Sequence, residues 1–266
     1  MMRNGTPLLT ATQRALAMLE AVVTDRGERS VSAVARDAGL PVATAHRQVA
    51  TLVAEGFLVP LGGGRHIAGP RLRALAGQID DKQLIAQIAA PYLRRLAERT
   101  GLIAQLGSLE DEMVTYRIKT GEGAGAFFTR VDMQLEAYCS GIGKVLLAAL
   151  PEEEQAAYLA GGPFVALTAN TITEPEALAR ELAAVRERGY AADNGEIDPD
   201  LYCLAVPIRD AGGATGKVPV AISLSRQRSA TPVDQDALLA RMRETAAHIE
   251  QAWHRAAAGL GPPIDG

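Results

Sequence analysis

The segment GLPVATAHRQVATLVAEGF, residues 39–57, constrains the fold more than any other part of this sequence. Its residue spacing predicts a helix that begins near Pro41 and ends near Gly56. At about 100 degrees per residue, one side of this helix is apolar and consists of Val42, Ala45, Val49, Leu52 and Val53. The opposite side carries Ala43, Thr44, Arg47, Ala50 and Thr51. Residues 41–54 contain no acid, so this outer side is small, polar and cationic.

Two further helices are predicted before this segment and a β-hairpin after it. Residues 12–23 have helical spacing with Thr12 as a candidate N-cap, and residues 31–40 predict a short helix that Ser32 caps and Gly39 ends. The runs FLVPL and RHIAG flank three consecutive glycines, which predicts a hairpin. Three helices followed by a hairpin are the pattern of a winged helix-turn-helix domain.

The rest of the sequence predicts a linker helix and a second domain of the α+β class with a largely antiparallel sheet. Helical spacing returns after Pro70 and is interrupted around Asp80. Beyond it, LIAQLGSL, EMVTYRIK, FFTRVDM, YCLAVPIRD and KVPVAISLS have the character of strands, whereas GKVLLAAL and two later segments have helical spacing. The predicted boundaries are residues 1–69 for the winged domain, 70–82 for the linker helix and 83–266 for the second domain.

The outer side of the 39–57 helix is suited to double-stranded DNA. Its small side chains would let the backbone enter a major groove about 12 Å wide, and Arg47 could pair with guanine. Residues 1–80 hold nine arginines and six acids (9 − 6 = +3), against 18 basic and 25 acidic residues in the remainder (18 − 25 = −7). The alternative is an alanine-rich surface helix with no partner. The residues predicted to contact DNA are Ser32, Ala43, Thr44, His46, Arg47, Thr51 and Arg65.

Two of these predicted contacts have open alternatives. His46, like Gln48, lies at the margin of the apolar side. For each of them, packing or a hydrogen bond at this margin is as good an interpretation as a contact with a DNA base. Arg65 follows the hairpin tip, where it could reach the DNA backbone or minor groove, or be solvated.

A small-molecule site is predicted in the second domain. The segment SGIGKVLLAAL begins with small residues and becomes an apolar helix, so its first amides could attract a carboxylate, or the glycines could only relieve crowding. Ser223 and Ser225 share one face of a strand because side chains alternate. The rings of Tyr116, Phe127, Phe128 and Tyr138 come from one part of this domain and suggest a small carboxylate as effector, with an aromatic acid as the specific hypothesis; core packing of the same rings is the alternative.

Taken together, these segments resemble the IclR family of bacterial transcription regulators. The matching motifs run through nearly all of the sequence: RALAMLEAV, GLPVATAHRQVATLVAEGF, GPRLRALA, SGIGKVLLAALP, TANTITEPEAL, RGYAADNGE and YCLAVPIRDAGG. The resemblance implies a winged helix and a GAF-like effector-binding domain. It also implies that Gly141, Ile142, Asp193 and Cys203 line the effector pocket. The full predicted effector set is Phe127, Leu135, Ser140, Gly141, Ile142, Asp193, Cys203, Ser223 and Ser225.

The sequence also departs from the family pattern. Ala43 stands in place of the usual serine and Gln48 in place of the usual leucine, and Tyr138–Cys139 replaces histidine–alanine. The operator sequence and the effector of other members are therefore not carried over to this chain.

The competing hypothesis is a hydrolase or nucleotide-binding enzyme with an N-terminal helical module. GEGAGA lacks the third glycine of a dinucleotide fingerprint, and AGGATGKV lacks the first glycine and the hydroxyl of a phosphate loop. The four histidines are His46, His66, His248 and His254, so a nucleophile in residues 67–247 would have no imidazole base from that stretch. We therefore predict no enzyme activity, no cofactor and no metal.

The expected partners are an operator, a small carboxylate effector and further copies of the chain. A homodimer or homotetramer is predicted because two winged heads must meet half-sites about 34 Å apart. Leu72 and Leu75 of the linker helix are the candidate pairing residues. No apolar run is long enough to cross a bilayer and the two cysteines have no CxxC spacing, so we expect a cytoplasmic protein without membrane contact.

Overall fold

The structure is a computed structural model that describes residues 7–78, 80–209, 212–213, 216–217, 220–229 and 233–258. The chain divides into two compact units, Met1–Asp80 and Asp81–Gly266. Within the described residues, no helix combines the length and apolar character needed to cross a membrane.

The first unit contains the predicted three helices and hairpin. Its helices are α1 (Thr10–Asp25), α2 (Val31–Asp37), α3 (Val42–Ala54) and α4 (Pro70–Ala76), and its strands are β1 (Leu58–Gly62) and β2 (Arg65–Ala68). The strands pair antiparallel around Gly62, Gly63 and Gly64, which all have positive φ. The core of this unit is formed by Met18, Val22, Val31, Val34, Ala35, Ala45, Val49 and Leu58.

Two predicted helix caps are wrong. Ser30, not Ser32, caps α2, and its hydroxyl accepts a hydrogen bond from the Ala33 amide. The N-cap of α1 is Leu9, without a side-chain hydrogen bond, so Thr12 lies inside the helix. Gly39 has the expected left-handed backbone, with φ of 67°, in the turn between α2 and α3.

The second unit is built on a six-stranded antiparallel sheet with strand order β5–β4–β3–β10–β7–β6. Its strands are β3 (Ile103–Glu110), β4 (Met113–Thr120), β5 (Gln134–Glu136), β6 (Ala191–Asn194), β7 (Leu201–Ile208) and β10 (Val220–Gln227). The short strands β8 (Gly212–Gly213) and β9 (Gly216–Lys217) pair with each other. The other residues of the AGGATGKV segment and of the turn around it lie outside the described residues.

Helices cover both faces of this sheet. On one face, α5 (Asp81–Thr100) and α9 (Gln235–Ala257) pack on alternate residues of the strands, such as Leu204 and Val206. On the other face, α6 (Gly141–Ala149) packs over Ala205 and Ala221, while α8 (Pro175–Arg188) packs on α6 and α7 (Glu152–Leu159) packs on α8. The small alanines on this second face let α6 approach the sheet closely. The predicted α+β class with an antiparallel sheet is confirmed.

The strand predicted for FFTRVDM is wrong. Residues 127–133 form an irregular segment, and β5 begins only at Gln134. Asp132 has φ of 63°, a left-handed backbone that ends extended structure, and the Met133 amide closes a turn onto the Arg130 carbonyl. The segment is therefore a loop at the edge of β4, and it forms part of the wall of the cavity described below.

Candidate nucleic-acid interface and effector site

The outer side of α3 is open to solvent, as the helical spacing predicts. We define the α3 outer face as Ala43, Thr44, Arg47, Ala50 and Thr51. Thr44 is half-buried and the other four are exposed, whereas Ala45 and Val49 are buried in the core. This face therefore presents backbone and small side chains to any partner that approaches the helix.

Arg47 is the cation of the α3 outer face. Arg29 of the same unit pairs with Asp25 and Asp37, and Arg71 pairs with Glu55. In contrast, no described residue forms a hydrogen bond or ion pair with the Arg47 guanidinium. Its five donors are thus available to an external acceptor such as a phosphate or a guanine edge.

Other predicted DNA contacts are engaged inside the unit. Ser32 Oγ and His46 Nε2 are 2.9 Å apart, so these two side chains join α2 to α3. The Thr51 hydroxyl donates to the Arg47 carbonyl at 3.0 Å. Arg65 is exposed on β2. Ser32 and His46 thus have a positioning role between the two helices, whatever else they contact.

Eight of the nine predicted effector residues surround one small cavity in the second unit. Its volume is about 10 Å³, room for roughly one water molecule. The lining residues are Gln105, Tyr116, Phe127, Phe128, Thr129, Ser140, Gly141, Ile142, Asp193, Ile197, Leu201, Cys203, Ser223 and Ser225. The cavity in this conformation is too small for an organic acid.

Leu135 is the predicted residue that does not line the cavity. It lies on β5 at the sheet edge and packs, half-buried, against the α6 side of the core. Tyr138 also lies elsewhere: its ring stacks on Phe164 at 4.7 Å and its hydroxyl donates to the Val165 carbonyl. The alternative reading of core packing is correct for this ring.

The amino end of α6 forms one wall of the cavity. Ser140 is the N-cap, and its hydroxyl accepts a hydrogen bond from the Gly143 amide at 3.0 Å. A Cβ on Gly143 would lie 2.1 Å from the Ala137 carbonyl oxygen, so only glycine fits this approach. The Gly141 and Ile142 amides belong to the first turn, where helix amides lack intrahelical acceptors. This end is suited to a carboxylate.

A chain of hydrogen bonds crosses the opposite wall. Ser225 Oγ donates to Gln105 Oε1 at 3.0 Å, and Gln105 Nε2 donates to Thr129 Oγ1 at 2.9 Å. Cys203 Sγ lies 3.0 Å from Ser225 Oγ. Burial raises the pKa of the Cys203 thiol, so it is protonated and donates to the serine oxygen. These groups can be re-paired with a polar ligand.

Buried charge lies at the cavity and behind it, because Asp193 lines the cavity whereas Lys144 and Glu196 do not. Lys144 on α6 is 1% exposed and forms ion pairs with Glu196 and, at 3.8 Å, with Glu181. Asp193 on β6 accepts a hydrogen bond from the Glu196 amide at 2.7 Å. Burial raises the pKa of Asp193 to about 7, because the ionised form loses hydration. The negative charge of Glu196 raises this pKa further, whereas the hydrogen bond from the Glu196 amide lowers it.

The irregular loop of residues 121–133 closes the cavity. Lys119 Nζ donates to the carbonyls of Phe127 and Thr129, and the Thr129 hydroxyl is bonded to Gln105. Sequence reasoning missed Gln105, Thr129, Ile197 and Leu201. A polar residue inside the apolar run LIAQLGSL was the available signal for Gln105. Nothing in the sequence pointed to Thr129, because it belongs to a segment predicted as a strand.

Two family models match the chain. The model described as the C-terminal domain of the bacterial transcriptional regulator IclR matches residues 78–251, and the IclR helix-turn-helix domain matches residues 11–62. In the described part of the chain, no three metal-ligating side chains lie close enough to hold a metal ion.

Characterised relatives are transcriptional regulators. The HTH-type transcriptional regulator XynR of Escherichia coli is 32% identical over 97% of this chain and 99% of its own length. The Pca regulon regulatory protein of Pseudomonas putida is 28% identical over 79% of this chain and 73% of its own length.

Solved structures share the fold. An IclR homologue of Microbacterium hydrocarbonoxydans in complex with 4-hydroxybenzoate is 31% identical, with a TM-score of 0.59 over 93% of this chain and 100% of that one. The IclR protein of Thermotoga maritima is 28% identical, with a TM-score of 0.58 over 90% of this chain and 97% of that one. The chain accordingly belongs to the IclR family of DNA-binding transcriptional regulators.

Proposed function

We propose that this regulator binds an operator through the α3 outer face and that a small carboxylate of the aromatic class changes its operator affinity from the cavity at the start of α6. The site is the effector site of the second unit, and a catabolic operon is the proposed target. The observation that carries the proposal is the convergence of α6 amides, Ser225, Gln105 and Cys203 on one apolar-rimmed cavity. The 4-hydroxybenzoate complex of a relative supports the aromatic class.

Effector binding requires the loop of residues 121–133 to move. The cavity of about 10 Å³ must grow to hold an aromatic acid, and that loop is the irregular part of its wall. The loop is held by the Lys119 contacts, the Gln105–Thr129 bond, backbone bonds between Tyr116 and residues 132–133, and an ion pair of Asp132 with Arg117. An effector can shift operator affinity only by its preference for one of two arrangements of the protein. The moving loop is the element we propose to have two arrangements.

A panel of acids tests the effector class. In a thermal-shift assay at pH 6.5, we expect benzoate or 4-hydroxybenzoate to raise the melting temperature more than acetate or succinate does. The neutral benzamides serve as matched controls for the ring without the charge. Stabilisation by none of the four acids would contradict the proposed effector class while leaving DNA binding untouched.

Arg47→Ala is expected to weaken operator binding by about 1–3 kcal/mol, roughly 5- to 150-fold in Kd. The physical reason is the loss of the guanidinium that has no described protein partner. Gel-shift titration at two salt concentrations measures the change in Kd and shows how much of it depends on salt, which is the contribution of contacts to phosphate. Arg14→Ala removes another exposed guanidinium of this unit, from α1, and should change affinity less. Equal affinity of Arg47→Ala and wild type would remove Arg47 from the DNA interface.

We also propose a homodimer or homotetramer in which helix α4 contributes to pairing. Leu75 on this helix is 45% exposed and Leu72 is half-buried. Residues 70–82 would then link the paired heads to the GAF-like effector domain.

A further inference from the structure

Asp193 is a buried acid of the cavity that has no cation of its own. It is 1% exposed and lines the cavity beside the first turn of α6. The nearest buried cation, Lys144, instead forms ion pairs with Glu196 and Glu181. Among the residues that the structure describes, none forms an ion pair with Asp193.

The charges around Asp193 leave a buried carboxylate in excess. The titratable groups that face it are Lys144 of α6, Glu196 of the following loop, Cys203 of β7, Tyr116 of β4 and Cys139 before α6, with Glu181 of α8 behind Lys144. Burial raises the pKa of Cys203, Cys139 and Tyr116, so these three stay neutral. Lys144 therefore faces three acids, Asp193, Glu196 and Glu181.

A second observation points to a missing proton. The Glu196 Oε2 atom is buried and has no hydrogen-bond partner among the described residues, although its Oε1 contacts Lys144. Burial raises the pKa of Glu196 as well, but the contact with Lys144 opposes that rise, whereas Asp193 forms no ion pair with a described residue and is the acid without a cation to stabilise its charge. Burial raises the pKa of Asp193 to about 7, which is consistent with this geometry.

We propose that the cavity takes up its carboxylate effector together with one proton, which Asp193 holds while the effector faces the α6 amides. The inference rests on the proposed effector class. An ionised Asp193 would repel a carboxylate a few ångströms away in a medium of low dielectric constant. A protonated Asp193 is neutral and offers a donor. The proton comes from solvent, and no bond other than the O–H bond on Asp193 is formed.

The proposal predicts a specific pH dependence. Effector affinity should be proportional to the fraction of the free protein in which Asp193 is protonated. The affinity is therefore nearly constant below pH 7 and falls about tenfold for each pH unit above pH 7. Between pH 6 and pH 8.5 the Kd should rise roughly 30-fold. At pH 8, binding should take up about 0.9 proton per effector.

Calorimetry measures both quantities. We would titrate the full chain with benzoate and 4-hydroxybenzoate from pH 6 to 8.5 to obtain Kd at each pH. At pH 8 the titration would be repeated in phosphate and in Tris. Because these buffers have different heats of ionisation, the difference between the two binding enthalpies gives the number of protons taken up. Asp193→Asn keeps an oxygen that can accept from the Glu196 amide, and it should bind with a Kd independent of pH and without proton uptake. Asp200→Asn, an exposed acid in the same loop, should behave as wild type. Benzamide, which stays neutral throughout this range, should bind independently of pH.

The outcomes separate the two proposals. Binding with the same Kd at pH 6 and pH 8.5, or an unchanged pH slope in Asp193→Asn, would overturn proton coupling and leave the effector class intact. Failure of both acids to bind would overturn the effector class and the coupling with it. A carbon-13 titration of the Asp193 carboxyl in the ligand-free wild type needs no variant; protonation near pH 7 supports the proposal and protonation below pH 5 refutes it.

Discussion

Replacing Lys144 with alanine is expected to lower the free energy of unfolding of the second unit by about 3–5 kcal/mol. Lys144 is buried, and its ammonium is the cation that neutralises Glu196 inside the protein. Without it, Glu196 and Asp193 are buried together with no cation, and hydration cannot compensate. Urea unfolding followed by the fluorescence of Trp253, the single tryptophan and a buried residue of α9, measures the change.

Two further variants test the cause of this loss. Lys82→Ala removes a cation whose pair with Glu110 is partly exposed, and it should cost no more than about 1 kcal/mol. The double variant Lys144→Met, Glu196→Gln removes both charges while keeping the side-chain volume, so it should recover most of the stability lost by Lys144→Ala. A loss below about 1 kcal/mol for Lys144→Ala would show that the buried pair does not stabilise the second unit.

Gly143→Ala is expected to destabilise the second unit by about 3 kcal/mol or more, at or beyond the upper end of the usual range for overpacking. The added Cβ would lie 2.1 Å from the oxygen and 2.4 Å from the Cα of Ala137. These are backbone atoms that cannot rotate away, so α6 must shift from the segment before it. The shift would displace the Gly141 and Ile142 amides that the proposed function assigns to the effector.

Gly141→Ala is the matched control in the same turn. Its Cβ would lie 3.4 Å from Ala205 Cβ, an ordinary contact, and alanine favours the helix by up to about 1 kcal/mol. This variant should fold with near wild-type stability but bind effector more weakly, because the methyl group reduces the cavity. Circular dichroism melts and the acid panel distinguish the two effects. Wild-type stability of Gly143→Ala would contradict the close approach of α6.

Sequence was a reliable guide where structure depends on neighbours along the chain. Helical spacing placed Ala45 and Val49 in the core and Arg47 outside, because the 3.6-residue period is a local property of the backbone. The alternation of a strand placed Ser223 and Ser225 on one face, and both line the cavity. The prediction that Ser32 caps α2 was wrong, because the helix begins at Val31 and the cap is Ser30, a difference that only the backbone geometry decides.

Tertiary structure alone decided the polar contacts around the cavity. Family resemblance indicated Asp193 and Cys203, but nothing in the sequence paired Lys144 with Glu196, 52 residues apart, or Ser225 with Gln105, 120 residues apart. Such pairs form because the sheet order places β10 between β3 and β7, and because α6 packs over the small side chains of that face. Periodicity determines which face of an element is buried. Which distant polar groups meet there, and hence which acid keeps its proton, depends on strand order and packing that no local pattern contains.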